Sequence, residues 1–115
     1  MRLKINVRNG DSSKTVRECI ERRMRFALSR FDNRIRRAEV VLDDVNGPRG
    51  GADQHCTLTI KLASTTPIVI QATDVDAMAA VGRVADRAAR HLSDHLKRRR
   101  DLRRHYGNTV AHPVD

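Results

Sequence analysis

Aromatic residues are nearly missing from this 115-residue chain: Phe26, Phe31 and Tyr106 are the only three, and there is no tryptophan. Proteins that read unpaired bases stack them on aromatic side chains, so this composition argues against that mode of nucleic-acid binding. Cysteine is also scarce, with only Cys19 and Cys56. Two thiols outside a dense, secreted framework predict free cysteines rather than a structural disulfide. No apolar run approaches the roughly 18 residues of a membrane span. The alternation of Met-Arg-Leu-Lys-Ile-Asn-Val at the N-terminus lacks the continuous apolar stretch of a signal peptide, and a cytoplasmic location is expected. Acidic residues are outnumbered, 14 against 23 basic, for a net charge of +9. An acidic partner is implied.

The charge is concentrated. Residues 14–37 and 83–104 each hold nine basic and three acidic side chains, a net of +6 apiece, and the rest of the chain carries −3. All the basic residues are arginine except Lys4, Lys14, Lys61 and Lys97. Arginine suits phosphate because its planar fork makes paired hydrogen bonds.

Periodicity places the secondary structure. Leu3, Ile5 and Val7 alternate with polar residues as a half-buried strand does, and Asn9-Gly10-Asp11 turns the chain. Ser12, Ser13 and Thr15 are candidate helix caps, with Thr15-Val16-Arg17-Glu18 fitting a capping box. Val16, Ile20, Met24, Ala27, Leu28 and Phe31 share one face of a helix ending near Phe31. Glu39–Asp43 reads as a second strand, Cys56–Leu62 as a third and Ile68–Ala72 as a fourth. Asn46–Asp53 reads as a long hairpin loop, and Ser64–Pro67 as a turn. Asp74 or Asp76 caps a last helix, whose stripe of Ala77, Val81, Val84, Ala88 and Leu92 extends through His95 and Leu96 to Leu102. That helix is expected to outreach the sheet. Its overhang is Lys97–Arg104, and residues 105–115 read as a flexible tail.

The fold expected is therefore α+β: a two-layer β-α-β-β-β-α sandwich, with a four-stranded mixed sheet and both helices on one face, in a single domain over residues 1–104. Arg22 and Arg25 on the first helix face away from the core, with Arg23 and Arg30 at its edge. On the last helix Arg83, Arg90, Lys97 and Arg104 recur every seven residues opposite the apolar stripe, with Arg87 beside them. Arg98, Arg99, Arg100 and Arg103 complete the basic end. Two such helices side by side present one basic surface, and their self-repulsion argues for a polyanionic partner recognised through phosphates and shape. Solvated helix surfaces are the plainer alternative.

Catalysis finds no support: there is no Gly-rich phosphate loop, metalloprotease motif or nucleophile elbow. Asp43 and Asp44 point to opposite faces of a strand, and no small-molecule substrate or cofactor is expected. His91 and His95 are four apart but lack a third metal ligand. A membrane surface is disfavoured because neither helix has a bulky apolar edge to insert.

The segment Arg30-Phe31-Asp32-Asn33-Arg34-Ile35, then Val40-Val41-Leu42, Asp76-Ala-Met-Ala-Ala-Val81, Asp86-Arg87 and His91-Leu92, resembles the ribosome hibernation-promoting factor and ribosome-associated inhibitor family of bacteria, from about Met1 to about Arg104. Met78 replaces that family's usual tyrosine, Arg30 a common aromatic and Ala88 a common leucine, and the Asn46–Asp53 loop is longer. The resemblance implies a short-form member lacking the family's second, dimerising domain, with a monomer favoured. It implies binding to ribosomal RNA of the small ribosomal subunit, between head and body, silencing translation under the stress of starvation or stationary phase. Carried over by position, Arg22, Arg23, Arg25 and Arg30 and then Arg83, Arg87, Arg90 and Lys97–Arg100 would face that RNA, with Arg103 and Arg104 where family ends vary. Two other readings stand beside it. One is a general structured-RNA or DNA binding module. The other is a basic interaction protein for an acidic protein partner, for which Phe26, off the apolar stripe, is the one exposed apolar candidate.

Overall fold

A computed structural model describes residues 1–10, 12–44, 54–63 and 66–111, with the side chains of residues 99 and 101–111 excepted. The elements follow in the order β1 (Arg2–Arg8), α1 (Lys14–Leu28), β2 (Ile35–Asp44), β3 (Gln54–Leu62), β4 (Ile68–Asp74) and α2 (Ala77–Ala111), with a 3-10 turn at Ser29–Phe31 after α1. The sheet order is β1-β2-β3-β4. β1 and β2 are parallel, joined by the α1 crossover, and the remaining pairs are antiparallel. This is the expected α+β sandwich. The loop read over Asn46–Asp53, and residues Asp11, Ser64 and Thr65 of the two turns, lie outside the described residues.

Sheet and helices bury one apolar layer. Ile20, Met24 and Leu28 of α1 meet Ala38, Val40 and Leu42 of β2, Leu58 and Ile60 of β3, and Ala80, Val81, Val84, Ala88 and Leu92 of α2, all nearly inaccessible to water. α1 lies towards β1, while α2 crosses β3 and β4. The small residues Ala80, Ala85 and Ala88 bring α2 close to its neighbours.

Local chemistry sets the element ends. The Ser13 hydroxyl accepts from the Val16 amide at 3.3 Å, so Ser13 is the cap of α1. The Thr15–Glu18 capping box is not used, because Thr15 already lies inside the helix. Asp76 caps α2 by accepting from the Ala79 amide at 2.9 Å. Asp74 instead accepts from the Asp76 amide, holding the turn into the cap. Asn9 takes a left-handed φ of 57° where β1 ends, and its amide donates to Asp43 at 3.2 Å.

Two boundaries differ from the sequence reading. β2 begins at Ile35 rather than Glu39, because a bulge between Ile35 and Arg37 inserts an extra residue. Ile35 and Ala38 can then both face the core, a spacing that strict alternation does not allow. α2 runs to Ala111 rather than Leu102, taking in much of the segment read as a tail. An established helix adds one hydrogen bond per residue, and no proline interrupts residues 77–111; the rest of the segment read as a tail, residues 112–115, lies outside the described residues.

Both cysteines are free, as expected from their number. Cys56 is fully buried on β3, and that burial pushes its thiol from 9.0 up to about 12. Above pH 9 the unfolded chain loses this proton while the folded chain keeps it. Folding stability should therefore fall as pH rises from about 9 towards 12, by up to about 1.4 kcal/mol per pH unit from this group. Urea unfolding at pH 8, 9 and 10 should show a shallower decline for Cys56→Ala than for the wild type. Parallel declines would mean that the thiol ionises equally in both states.

Candidate nucleic-acid interface

The cations singled out in the sequence lie on the two helices, except Arg30, which falls in the 3-10 turn after α1, and the structure gives the described ones unequal duties. Arg23 of α1 reaches across to Asp86 of α2 at 2.6 Å, tying the helices together. Arg25 is spent locally on Glu21 at 2.9 Å, one turn away. Arg83 donates to the Thr73 carbonyl at 3.2 Å and lies 3.5 Å from Asp74, and Arg87 donates to the Gln71 carbonyl at 2.8 Å. Both carbonyls belong to β4, an edge strand. Arg17 does the same at the opposite edge, donating to the Ile5 carbonyl of β1 at 3.0 Å. Arginines of the two helices thus bond two carbonyls of β4 and one of β1, the two edge strands, which disfavours stray strand pairing at those points. Each guanidinium has further N–H donors, and Arg83 and Arg87 remain exposed.

The uncommitted cations lie elsewhere. Arg22 is exposed on α1, and Arg30 sits 4.8 Å over the Phe31 ring. Arg90, Lys97, Arg98 and Arg100 are exposed along α2 and make no ion pair among the described residues. Arg99, Arg103 and Arg104 lie on α2, but their side chains are outside the described residues. At about 1.5 Å per residue, the 35-residue α2 is about 52 Å long, against about 30 Å for the nine residues of β3. Leu92 is the last fully buried side chain among the described residues of α2, so Lys97, Arg98 and Arg100, all exposed, lie past the packed layer.

The charge tally also shifts. Arg34, Arg36 and Arg37, counted with the first basic segment, lie beyond α1, in the turn before β2 and on β2 itself. The basic helical face is smaller than the sequence tally implies, and part of the charge belongs to the sheet.

Other candidates are placed plainly. The His91 and His95 rings stack at 6.4 Å, and no group of three metal-ligating side chains occurs among the described residues. His55 pairs with Thr73 at 3.0 Å. Asp43 holds Asn9, while Asp44 lines a separate hollow with Val7 and Leu42. No helix among the described residues is long and apolar enough to cross a membrane. Phe26 is 79% exposed, beside a hollow of about 370 Å³ lined by Cys19, Arg22, Arg23 and Met78.

The chain is thus a two-layer β-α-β-β-β-α module with exposed cations on its helices and a last helix that outreaches the sheet. The chain belongs to the sigma 54 modulation protein / S30EA ribosomal protein family, whose family model matches residues 3–100. That is the family whose motifs the sequence resembles. Two solved structures share the fold. One is a ribosomal subunit interface protein from Coxiella burnetii, with TM-score 0.69 and 18% identity over 84% of this chain and 99% of that one. The other is the N-terminal domain of Protein Y from Thermus thermophilus, with TM-score 0.66 and 18% identity over 83% of this chain and 99% of that one. No curated protein matches the chain.

Proposed function

We propose that this protein is a non-enzymatic, cytoplasmic factor that binds the small ribosomal subunit as a monomer and inhibits translation during hibernation. Ribosomal RNA is its partner, met through the outer faces of α1 and α2. The observation that carries this reading is the set of exposed, uncommitted cations Arg22, Arg90, Lys97, Arg98 and Arg100 on two helices tied together by Arg23 and Asp86. Family membership and the Coxiella burnetii protein named for the ribosomal subunit interface support the ribosome as the source of that RNA. Arg23, Arg83 and Arg87 contribute mainly by placing the helices, Arg25 is held on Glu21 of its own helix, and all four act secondarily through their remaining N–H groups.

Sedimentation with purified 30S subunits tests the reading. The protein should pellet with the subunits at low salt. Its affinity should fall with log–log slope near −5 if about six phosphates are contacted, taking the duplex coefficient. A slope near zero, or protein remaining at the top of the gradient, sinks the proposal. Equal affinity for bare duplex would favour a general RNA- or DNA-binding module. The exposed Phe26 favours a further reading, an acidic protein partner with one apolar anchor. That reading requires salt-resistant binding which Phe26→Ala abolishes.

A further inference from the structure

The open face of the sheet, opposite the helices, carries cross-strand rows set by register. Lys4 stands beside Glu39, and their side chains pair at 3.9 Å. At the far end Arg8 stands beside Asp43. In both rows a cation has a carboxylate for a neighbour. The row at the near end is different: Arg2 stands beside Arg37, and Arg37 beside Lys61. Three cations thus occupy adjacent strands with no carboxylate among them, an arrangement that costs stability.

The β2 bulge adds a fourth. Arg36 is the extra residue between Ile35 and Arg37, and both arginines are exposed. Arg2, Arg36, Arg37 and Lys61, with Met1, bound an open hollow of about 440 Å³. The Met1 ammonium pairs with Asp32 at 3.7 Å, and none of the four side-chain cations has an ion-pair partner among the described residues.

We propose that this hollow is a second phosphate-binding site, and that its occupant is the sugar–phosphate backbone of RNA. This rests on the RNA-binding reading above and extends it to the opposite face of the molecule. Arg2 and Lys61 are two strand spacings apart, about 10 Å, so the row forms a continuous cationic strip rather than a point charge. Three of the four cations are arginines, whose forks match phosphate oxygens. The hollow has no aromatic or large exposed aliphatic anchor of the kind that centres a protein interface, which favours RNA over an acidic protein. With cations on both faces, the protein would sit between two RNA segments, one against the helices and one against the sheet.

The test compares three full-length proteins binding to 30S subunits across a salt series: wild type, Arg36→Gln/Arg37→Gln/Lys61→Gln, and Arg90→Glu/Lys97→Glu/Arg98→Glu. The sheet variant should bind about tenfold or more weakly, with a log–log slope shallower by two to three. Its thermal midpoint should hold or rise, since like charges have been removed. Should the triple variant unfold, Lys61→Gln alone should still make the slope shallower by about one. If the sheet variant binds as wild type does while the helix variant is released, the sheet site is wrong and the helical reading stands. If wild type binds no RNA, both fall. If the sheet variant loses binding to polyglutamate but keeps its 30S affinity, the hollow is a site for acidic protein instead.

Discussion

Reversing Arg90, Lys97 and Arg98 together to glutamate is expected to weaken 30S binding by roughly 10²–10³-fold near physiological salt, and to flatten the log–log salt slope by about three. The three side chains are exposed and make no ion pair among the described residues, so their loss removes partner contacts without breaking fold contacts. Surface substitutions of this kind usually change stability by under about 0.5 kcal/mol each. Thermal unfolding should therefore be close to wild type while binding collapses. The same experiment at Arg23 could not be read this way. Arg23→Glu would set a carboxylate against Asp86, where a 2.6 Å bridge now joins the helices, and lost binding could follow from splayed helices alone. Arg83 and Arg87 are similarly compromised by their bonds to β4 carbonyls. If the α2 triple variant still binds with an unchanged slope, the RNA does not lie along this helix.

That distinction between committed and free arginines is invisible in the sequence, where Arg83, Arg87 and Arg90 look alike. Helical spacing shows which residues leave the core, but not which carbonyls or carboxylates a neighbouring element brings within reach. The core itself was legible, because Ile20, Met24 and Leu28 repeat at helical spacing and Cys56, Leu58 and Ile60 at strand spacing. The bulge at Ile35–Arg37 was not, since two successive arginines break the alternation that marks a strand. The same break hid the cations of the open sheet face, which acquire a common location only when β1, β2 and β3 fall into register. The end of α2 was hidden differently: with no apolar stripe past Leu102, helix continues there on backbone hydrogen bonding, and periodicity has nothing to report.

Truncating Leu92 to alanine should have a large effect on stability and reach the candidate interface as well. Among the described side chains of α2, Leu92 is the last that is fully buried, and beyond it Leu96 is the one hydrophobic partly packed against the core. Leucine-to-alanine changes at sites like this cost about 2–5 kcal/mol. That is a large share of the roughly 5–15 kcal/mol that holds a domain together. Leu58→Ala, equally buried on central strand β3, should cost a similar amount in urea unfolding. The two should differ in where the native state loosens. Losing Leu92 unpins α2 where its basic end begins to project, so amide exchange over residues 93–100 should speed up before global unfolding. Leu58→Ala should speed exchange there only through global unfolding. A helix end that frays more often holds Lys97, Arg98 and Arg100 less well, and the Leu92 variant should bind RNA more weakly than the Leu58 variant of equal stability. Equal binding by the two would show that the overhang needs no anchoring to act; a cost below about 1 kcal/mol for Leu92→Ala would show that α2 is not held at this point.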